Sequence, residues 1–571
     1  MRNILTTENI KPFLNYDKYI SAIMRYNKID ENNFYALFPD INKYDITFEE
    51  YFNKMETLDG TKEFIEFVKQ NRNLPSVVLS DHDCDGIMGN VILTMSLSLN
   101  GINVSYMATD RFRSGYGMKT KDVDRAIKSG AKVLYTVDQG ITCQEAIDYA
   151  RSKGLKVCVS DHHNGPIHVN ADCVIDPCYI ENNTIFKGIS GATVALKLGY
   201  ALTKSLNGDL RVFNDLGALA GITVLSDVMP IIGENRLLYK AMVKYCNNNV
   251  NKNSFIRRLV DLITFHIPGN NEFDFMPTSR DFNKTNIDFY FVPVINAVNR
   301  VEGNVEELIS DIIQIFYRDY DGDPRYYYNL NNTRKQMKKD LMHYHKKTKY
   351  SVVVDSLKVN SDINYGGIAG LIASDIVTEE KKPCLLGIDQ GQKRLSFSGR
   401  SLPGYDLYSL LSRVQKNNPD LNLQFGGHAE ALGASIPREN LVKLQEALSE
   451  EFDKDVYEIE EEYFLLDNTD AWIRVFKQFS PFGNKFQMPQ FYVKTCINFC
   501  NTSTKQFYLK NCGKTPIVSY SKNDLDYIFC LATKKRDMEI EAIVELCYDQ
   551  DGNVIFKLVN ILNKDKTILS E

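Results

Sequence analysis

The 571-residue chain lacks any excess of positive charge: 73 acidic residues outnumber 67 basic ones, leaving a net charge of −6 and a pI near 5.9. That excludes a general basic coat for nucleic acid, so a polyanion must be met in a local groove with its own Lys and Arg. There is no run of eighteen apolar residues, which excludes a conventional membrane-spanning helix. The opening Met1-Arg-Asn-Ile-Leu-Thr-Thr-Glu8 has no apolar signal core, so secretion is not expected. The twelve cysteines include no Cys-x-x-Cys pair and read as buried reduced thiols of a cytoplasmic protein. Internal repeats and low-complexity tracts are absent too. What is present, 44% hydrophobic and 25% charged residues, is ordinary for a globular chain, and the length calls for several domains.

Four apolar segments each run into an acidic or histidine-bearing turn. Pro75–Ser80 meets Asp81-His-Asp-Cys-Asp-Gly86, and Lys132–Val137 meets Asp138-Gln-Gly140. Leu155–Ser160 meets Asp161-His162-His163, and Ala171–Ile175 meets Asp176-Pro177. Helical patterns lie between such segments, which implies a mostly parallel sheet, and ligands of such sheets collect beyond the carboxyl ends of the strands. Strands about 4.8 Å apart let neighbouring turns reach one shared ion. Asp81, Asp83 and Asp85, two residues apart, share one face of an extended strand end, and Gly86 permits a tight exit into a helix. For one such turn a solvated acidic loop is the better explanation; three at the same sheet end weaken it. Asp and His in this arrangement suit a hard divalent cation, Mn²⁺ or Mg²⁺, with enough ligands for two ions and phosphoester hydrolysis.

The rest of the pattern divides the chain. Residues 1–75 read as a helical extension, amphipathic at Phe48–Met55 and Thr61–Val68. Residues 76–300 read as an α/β domain and 301–348 as one long charged connecting helix. A second α/β region spans 349–450, beginning at the strand Ser351–Val354, and 451–484 reads as a linker. Over 485–571, runs such as Gln490–Val493, Pro516–Tyr520 and Asp526–Leu531 predict short strands of a small β-barrel. Trp472, the only tryptophan, is expected in a core.

These turns resemble the DHH phosphoesterase superfamily, named for the triplet seen at Asp161-His162-His163, and within it the RecJ family of single-strand-specific exonucleases. The family's motifs are matched by Leu79–Gly86, Thr136–Ile141, Val159–His163 and Leu225-Ser-Asp-Val-Met-Pro230 with Gly233-Glu-Asn-Arg236. Asp110-Arg-Phe-Arg-Ser-Gly-Tyr-Gly117 and Asn296-Ala-Val-Asn-Arg300 resemble two further RecJ motifs. Gly366–Ala373, Ser398-Gly-Arg-Ser401 and Gly426-Gly-His428 resemble the DHH-associated domain, and Pro481-Phe-Gly-Asn484 the entry to an oligonucleotide-binding barrel. Two positions depart from the family pattern: His82 replaces an aromatic or apolar residue, and Ser114 an acidic one. His82 reads as an exposed bystander, with a metal or phosphate contact as the alternative.

The resemblance implies a DHH parallel-sheet α/β domain, a connecting helix, a DHH-associated α/β domain and an OB-like barrel. It implies that Asp83 and Asp138 hold one metal, with Asp81 as an added ligand, and that Asp85, Asp138, His162 and Asp227 hold the other. His163 would donate to a phosphate oxygen, with Asp161 orienting a histidine from behind. Arg111, Ser398 and Arg400 would grip a 5′-terminal phosphate, and Arg300 and His428 would line the phosphate track. The implied activity is a 5′-to-3′ exonuclease on single-stranded DNA, using two Mn²⁺ or Mg²⁺ ions and releasing 5′-mononucleotides in DNA repair, recombination or replication. The implied protein is a cytoplasmic monomer, with a single-strand-binding protein or a helicase as possible partner and no membrane. A phosphodiesterase for short oligonucleotides or cyclic dinucleotides and a non-catalytic replication scaffold are the alternatives. The barrel argues against the first, and the filled ligand positions against the second.

Overall fold

The computed structural model describes residues 2–41, 43, 45–111, 117–165, 168–178, 186–263, 282–301, 304–320, 322–323, 325–358, 365–389, 391–427, 429–455, 461–501, 506–519, 521–534, 539–549 and 551–564. The chain begins with strand β1 (Arg2–Leu5), followed by helices Lys18–Tyr26, Phe48–Lys54 and Thr61–Asn71. The expected helical extension is therefore a strand plus helices, and two cores share it. Phe13, Ile23, Phe34 and Phe38 are buried with Trp472 and Phe486. Phe48, Tyr51, Phe64 and Val68 are buried instead with the first α/β domain. Periodicity reveals an apolar helix face but not its partner, which for the first group lies near the other end of the sequence.

That first domain is built on β2 (Ser76–Ser80), β3 (Val104–Ala108), β4 (Val133–Val137), β5 (Lys156–Ser160) and β6 (Cys173–Ile175). All pair in parallel in the order β3-β2-β4-β5-β6. β2 and β4 are buried throughout, which is why they read as unbroken apolar runs rather than alternating ones. The chain passes from β2 out to β3 and back to β4 on the other side. The order thus reverses between β2 and β4, and a switch point of this kind opens a crevice at the carboxyl ends of the strands. Helices Cys84–Leu99 and Gly191–Ser205 pack closely over the sheet; a Cβ at Gly89 would lie 3.2 Å from the Ala192 Cα.

The connector is not one helix. Val305–Tyr317 and Arg325–Met342 are separate helices, and Arg318 between them is left-handed at φ 63°. Gly322 and the pre-proline Asp323 lie between the two helices, where both disfavour continued helix. The second α/β domain contains β7 (Val353–Lys358), β8 (Cys384–Asp389), β9 (Arg394–Arg400), β10 (Gln424–Gly427) and β11 (Ala431–Pro437), ordered β10-β11-β9-β8-β7.

β12 (Glu461–Leu465) pairs with β1 and with β13 (Phe491–Asn501). β13, β14 (Gln506–Leu509), β15 (Ile517–Val518), β17 (Val554–Ile561) and β16 (Glu539–Tyr548) then close on themselves through the β13–β16 pairing. This is an OB-like barrel. Two expectations change here. Residues 451–484 are not a linker, because β12 and helix Thr469–Phe479, with fully buried Trp472, belong to the barrel's core. Asp526–Leu531 lies in helix Lys522–Lys534 rather than a strand; a short apolar run has no period that decides between the two. Among the described residues no helix is long and apolar enough to cross a membrane.

Candidate metal centre and arginine cluster

The β2 turn is shaped by its own carboxylates. Asp83 caps helix Cys84–Leu99, its Oδ1 accepting from the Asp85 and Gly86 amides at 3.0 and 3.2 Å. A Cβ at Gly86 would lie 2.4 Å from the Asp81 carbonyl oxygen, so the turn closes only with glycine there. Asp85 reaches across to helix Gly191–Ser205 and accepts from the Gly191 and Ala192 amides at 2.6 and 3.0 Å. Those amides are unsatisfied within their helix, and its N-terminus favours a negative group. Asp138 sits at the same helix end, where a Cβ on Gly191 would lie 2.6 Å from the Asp138 Cβ. The turn's backbone is fastened from a distant helix: Asn296 Oδ1 accepts from the Cys84 amide at 2.9 Å, and Asn299 Nδ2 donates to the His82 carbonyl at 2.6 Å.

His162 Nε2 lies 3.0 Å from Asp138 Oδ1, 3.5 Å from Asp227 Oδ2 and 3.8 Å from Asp85 Oδ2. Three sets of ligand atoms each fall within 4.8 Å of one another: Asp81–Asp83–Asp138, Asp85–His162–Asp227 and Asp138–His162–His163. Asp138 is common to two of them. Asp138 Oδ1, His162 Nε2 and Asp227 Oδ2 are buried without a hydrogen-bond partner, a costly arrangement for polar atoms unless something else satisfies them. Asp161 differs. Its oxygens accept from the His163 ring Nδ1 at 2.7 Å, the His162 amide at 2.7 Å and the Ile141 amide at 2.9 Å. His82, expected to be exposed, is buried, with Nδ1 3.0 Å from Asp81 Oδ1 and 3.2 Å from Thr109 Oγ1.

The charges agree with this geometry. Burial, then the neighbouring Asp85 carboxylate, push Asp227 up to about 8. Burial and Asp85 likewise hold Asp138 well above the usual carboxylate range, and burial with Asp81 raises Asp83. Burial, then Asp161, raises Asp176 to about 7. The His163 ring, although burial opposes its charge, is lifted to about 9 by its hydrogen bond to Asp161. So many crowded carboxylates resist ionising together, and divalent cations would relieve them. Carboxylate and imidazole donors fit Mn²⁺ or Mg²⁺.

Beside the acidic cluster lies a basic one. Arg300 is lowered to about 9 by burial and then by its neighbours Arg111 and Arg334, with Arg400 adding to them. Burial also lowers Arg111, while Asp81 and Asp83 pull it back up. Among the described residues none of the four pairs with a carboxylate, and Arg300 Nε is buried without a hydrogen-bond partner. Glycines make room for the group: a Cβ at Gly367 would lie 2.5 Å from the Arg300 carbonyl oxygen, and one at Gly370 2.8 Å from Arg400 Nη2. Ser398 lies on β9, on the same face as Arg400. His428 and Ser114 fall outside the described residues. The sequence reading omitted Arg334, one cation on a polar helix, and Thr109, which donates to Asp81 Oδ1 at 3.1 Å. Thr109 follows β3, and the apolar run Val104–Ala108 was the signal for that fifth strand.

Acidic strand-end turns on a parallel sheet thus face a second α/β domain across an arginine cluster. Residues 76–216 match the DHH family, N-terminal domain, and residues 349–454 the DHHA1 domain. The chain thus carries matches to two domains of the DHH type and is similar to RecJ proteins. It is 26% identical over 404 residues to the single-stranded-DNA-specific exonuclease RecJ of Escherichia coli, covering 66% of this chain and 65% of that protein. To RecJ of Bacillus subtilis it is 25% identical over 521 residues, covering 85% of this chain and 60% of that one. The chain thus spans a little under two thirds of these relatives. The fold matches a crystal structure of Thermus thermophilus RecJ in complex with Mn²⁺ with a TM-score of 0.71 at 18% identity, covering 99% of this chain and 80% of the other.

Proposed function

We propose that this chain is a metal-dependent exonuclease that hydrolyses single-stranded DNA from a 5′-phosphorylated end and releases 5′-mononucleotides. The observation that carries the reading is the convergence of Asp138 Oδ1, His162 Nε2 and Asp227 Oδ2, buried and unsatisfied, beside four arginines that have no carboxylate partner among the described residues. Asp83 and Asp138, with Asp81 added, would hold one Mn²⁺ or Mg²⁺ ion. Asp85, Asp138, His162 and Asp227 would hold the second. Two such ions, when bound, supply an activated water and charge neutralisation at the scissile phosphate. Asp161 acts from behind the site: its side-chain hydrogen bonds orient His162, His163 and the β4 turn. With Nδ1 hydrogen-bonded to Asp161, His163 presents its other nitrogen to a phosphate oxygen.

Arg111, Arg400 and Ser398 bind the 5′ phosphate, and Arg300 and Arg334 continue the phosphate track, since a guanidinium fork makes paired bonds to phosphate. On the barrel, Phe499 of β13 is 57% exposed, with the half-buried Tyr508 of β14 at a ring distance of 6.0 Å. An exposed ring such as Phe499 suits the sequence-independent stacking of bases in a long strand. We place the enzyme in the cytoplasm as a monomer that serves DNA repair, recombination or replication alongside a single-strand-binding protein or helicase. The scattered, unbridged cysteines support that compartment. The test is incubation with Mn²⁺ and single strands labelled at either end, with and without a 5′ phosphate. Stepwise loss from the phosphorylated 5′ end is expected. Release from the 3′ end, or no cleavage of long strands with rapid cleavage of dinucleotides, would overturn it.

A further inference from the structure

The loop after Asp227 is held by a segment far away in sequence. Asp227 ends helix Phe213–Ser226, and the next residue, Val228, is left-handed at φ 52° and 64% exposed. A β-branched residue is disfavoured in that region, and at this exposure little packing repays it. The restraint comes from Asn484, at the entry to the barrel. Its side-chain Nδ2 donates to the Val228 carbonyl at 2.8 Å, while its own carbonyl accepts from the Ile231 amide at 2.9 Å. Beside it Gly483 lets the two segments touch, since a Cβ there would lie 2.7 Å from Ile231 Cγ1.

A second fastening lies just downstream. Arg236, fully buried, donates to the Ser480 and Pro481 carbonyls at 3.1 Å each and pairs with buried Asp40 at 2.8 Å. Its guanidinium stands over the Phe38 and Phe486 rings at 5.4 and 6.0 Å. Residues 480–486 therefore grip both ends of the stretch 228–236, and the residue immediately before that stretch carries an unsatisfied buried carboxylate oxygen in the candidate metal centre.

We propose that Asn484 is a positioning residue for Asp227, so that the barrel module sets the geometry of one metal site as well as offering a surface for the strand. The inference rests on the two-metal reading above. Asn484 holds the main chain one residue beyond the ligand, and its loss lets Val228 relax and Asp227 swing away from His162. Asp83 and Asp138 are fastened by other elements and keep their places.

Mn²⁺ titration by calorimetry and electron paramagnetic resonance tests this on the full chain, with thermal unfolding in parallel. Asn484→Ala should weaken one of two Mn²⁺ equivalents by about three- to tenfold, the effect of one neutral hydrogen bond, and leave the other unchanged. Asn484→Asp, which keeps the side chain's size but not the donated hydrogen bond, should do the same. Asp227→Ala should abolish that equivalent, and adding Asn484→Ala to it should change metal binding no further, as expected of two residues acting through one site. Unchanged affinities with a lowered unfolding temperature, or equal weakening of both equivalents, would make Asn484 a merely structural contact and overturn the proposal. If Asp227→Ala leaves both equivalents intact, the metal assignment itself fails, and the inference with it.

Discussion

Asp138→Asn should change the protein in opposite directions with and without metal. In the metal-free protein Asp138 has ligand atoms within 4.8 Å of those of Asp81 and Asp83, and it also faces Asp85 and Asp227. A like-charge pair at that range costs roughly 3–4 kcal/mol at an effective dielectric constant near 20. His162 at 3.0 Å and His163 at 4.0 Å offset part of this. With the Asp138 carboxyl held well above the usual range by burial and then by Asp85, burial and repulsion prevail, so ionising it is costly. An isosteric amide removes that cost, so at pH 8 the metal-free variant should unfold at a higher temperature than the metal-free parent. With metal the order reverses. An ion present at a hundred times its dissociation constant adds about 2.7 kcal/mol, and two add roughly twice that. For a domain of this size, at about 2–4 °C per kcal/mol, the parent gains roughly 10–20 °C on adding Mn²⁺. The variant, without the shared ligand, should gain only a few degrees and lose nuclease activity by several orders of magnitude. Calorimetric scans with and without Mn²⁺, paired with a strand-degradation assay, read both effects. A full Mn²⁺ shift in the variant, or a metal-free variant less stable than the metal-free parent, would refute the reasoning.

Four further outcomes follow from the same geometry. His163→Ala should leave both Mn²⁺ equivalents in place by calorimetry yet slow hydrolysis; disappearance of one equivalent would make His163 a ligand. Arg111→Ala and Arg400→Ala should each remove a charge-assisted contact of roughly 1.5–3 kcal/mol, lowering the preference for a 5′-phosphate over a 5′-hydroxyl end about tenfold or more. Equal losses on the two ends, measured as a ratio within each variant, would place the pocket elsewhere. Arg334→Ala should weaken strand binding regardless of the terminal group and reduce the slope of log affinity against log salt by about 0.7; an unchanged slope would remove Arg334 from the track. Finally, metal-free stability should fall as pH rises. Asp227 and Asp176, raised from 3.8 to about 8 and about 7, lose their favourable protonated state across that window. The contribution of His163, whole below 6.5, is lost as pH passes about 9. Stabilisation by Mn²⁺ should grow over the same range, because binding needs deprotonated ligands, and thermal scans from pH 5 to 9 would expose the opposite trend.

Local sequence was enough for whatever depends on neighbours in the chain. Unbroken Val and Leu runs ending in Asp81–Asp85, Asp138 and Asp161–His163 defined buried parallel strands and their acidic ends, because a strand buried on both faces leaves that pattern and a turn follows directly from its strand. The resemblance to RecJ motifs extended this to Asp227 and to the arginines of both α/β domains. Tertiary structure decided what depends on distant partners. β1 pairs with β12 across almost the whole chain, and no local pattern records that. The break between helices Val305–Tyr317 and Arg325–Met342 brings Arg334 beside Arg300, although a lone arginine on a polar helix carries no mark of its neighbours. His82 is buried because Asp81 and Thr109, at the ends of adjacent strands, enclose it. Asn484 reaches Val228 and Ile231 only because the barrel docks against the first domain. Residues that act through long-range contact leave no period and no spacing in the sequence, so their roles emerge only once the chain is folded.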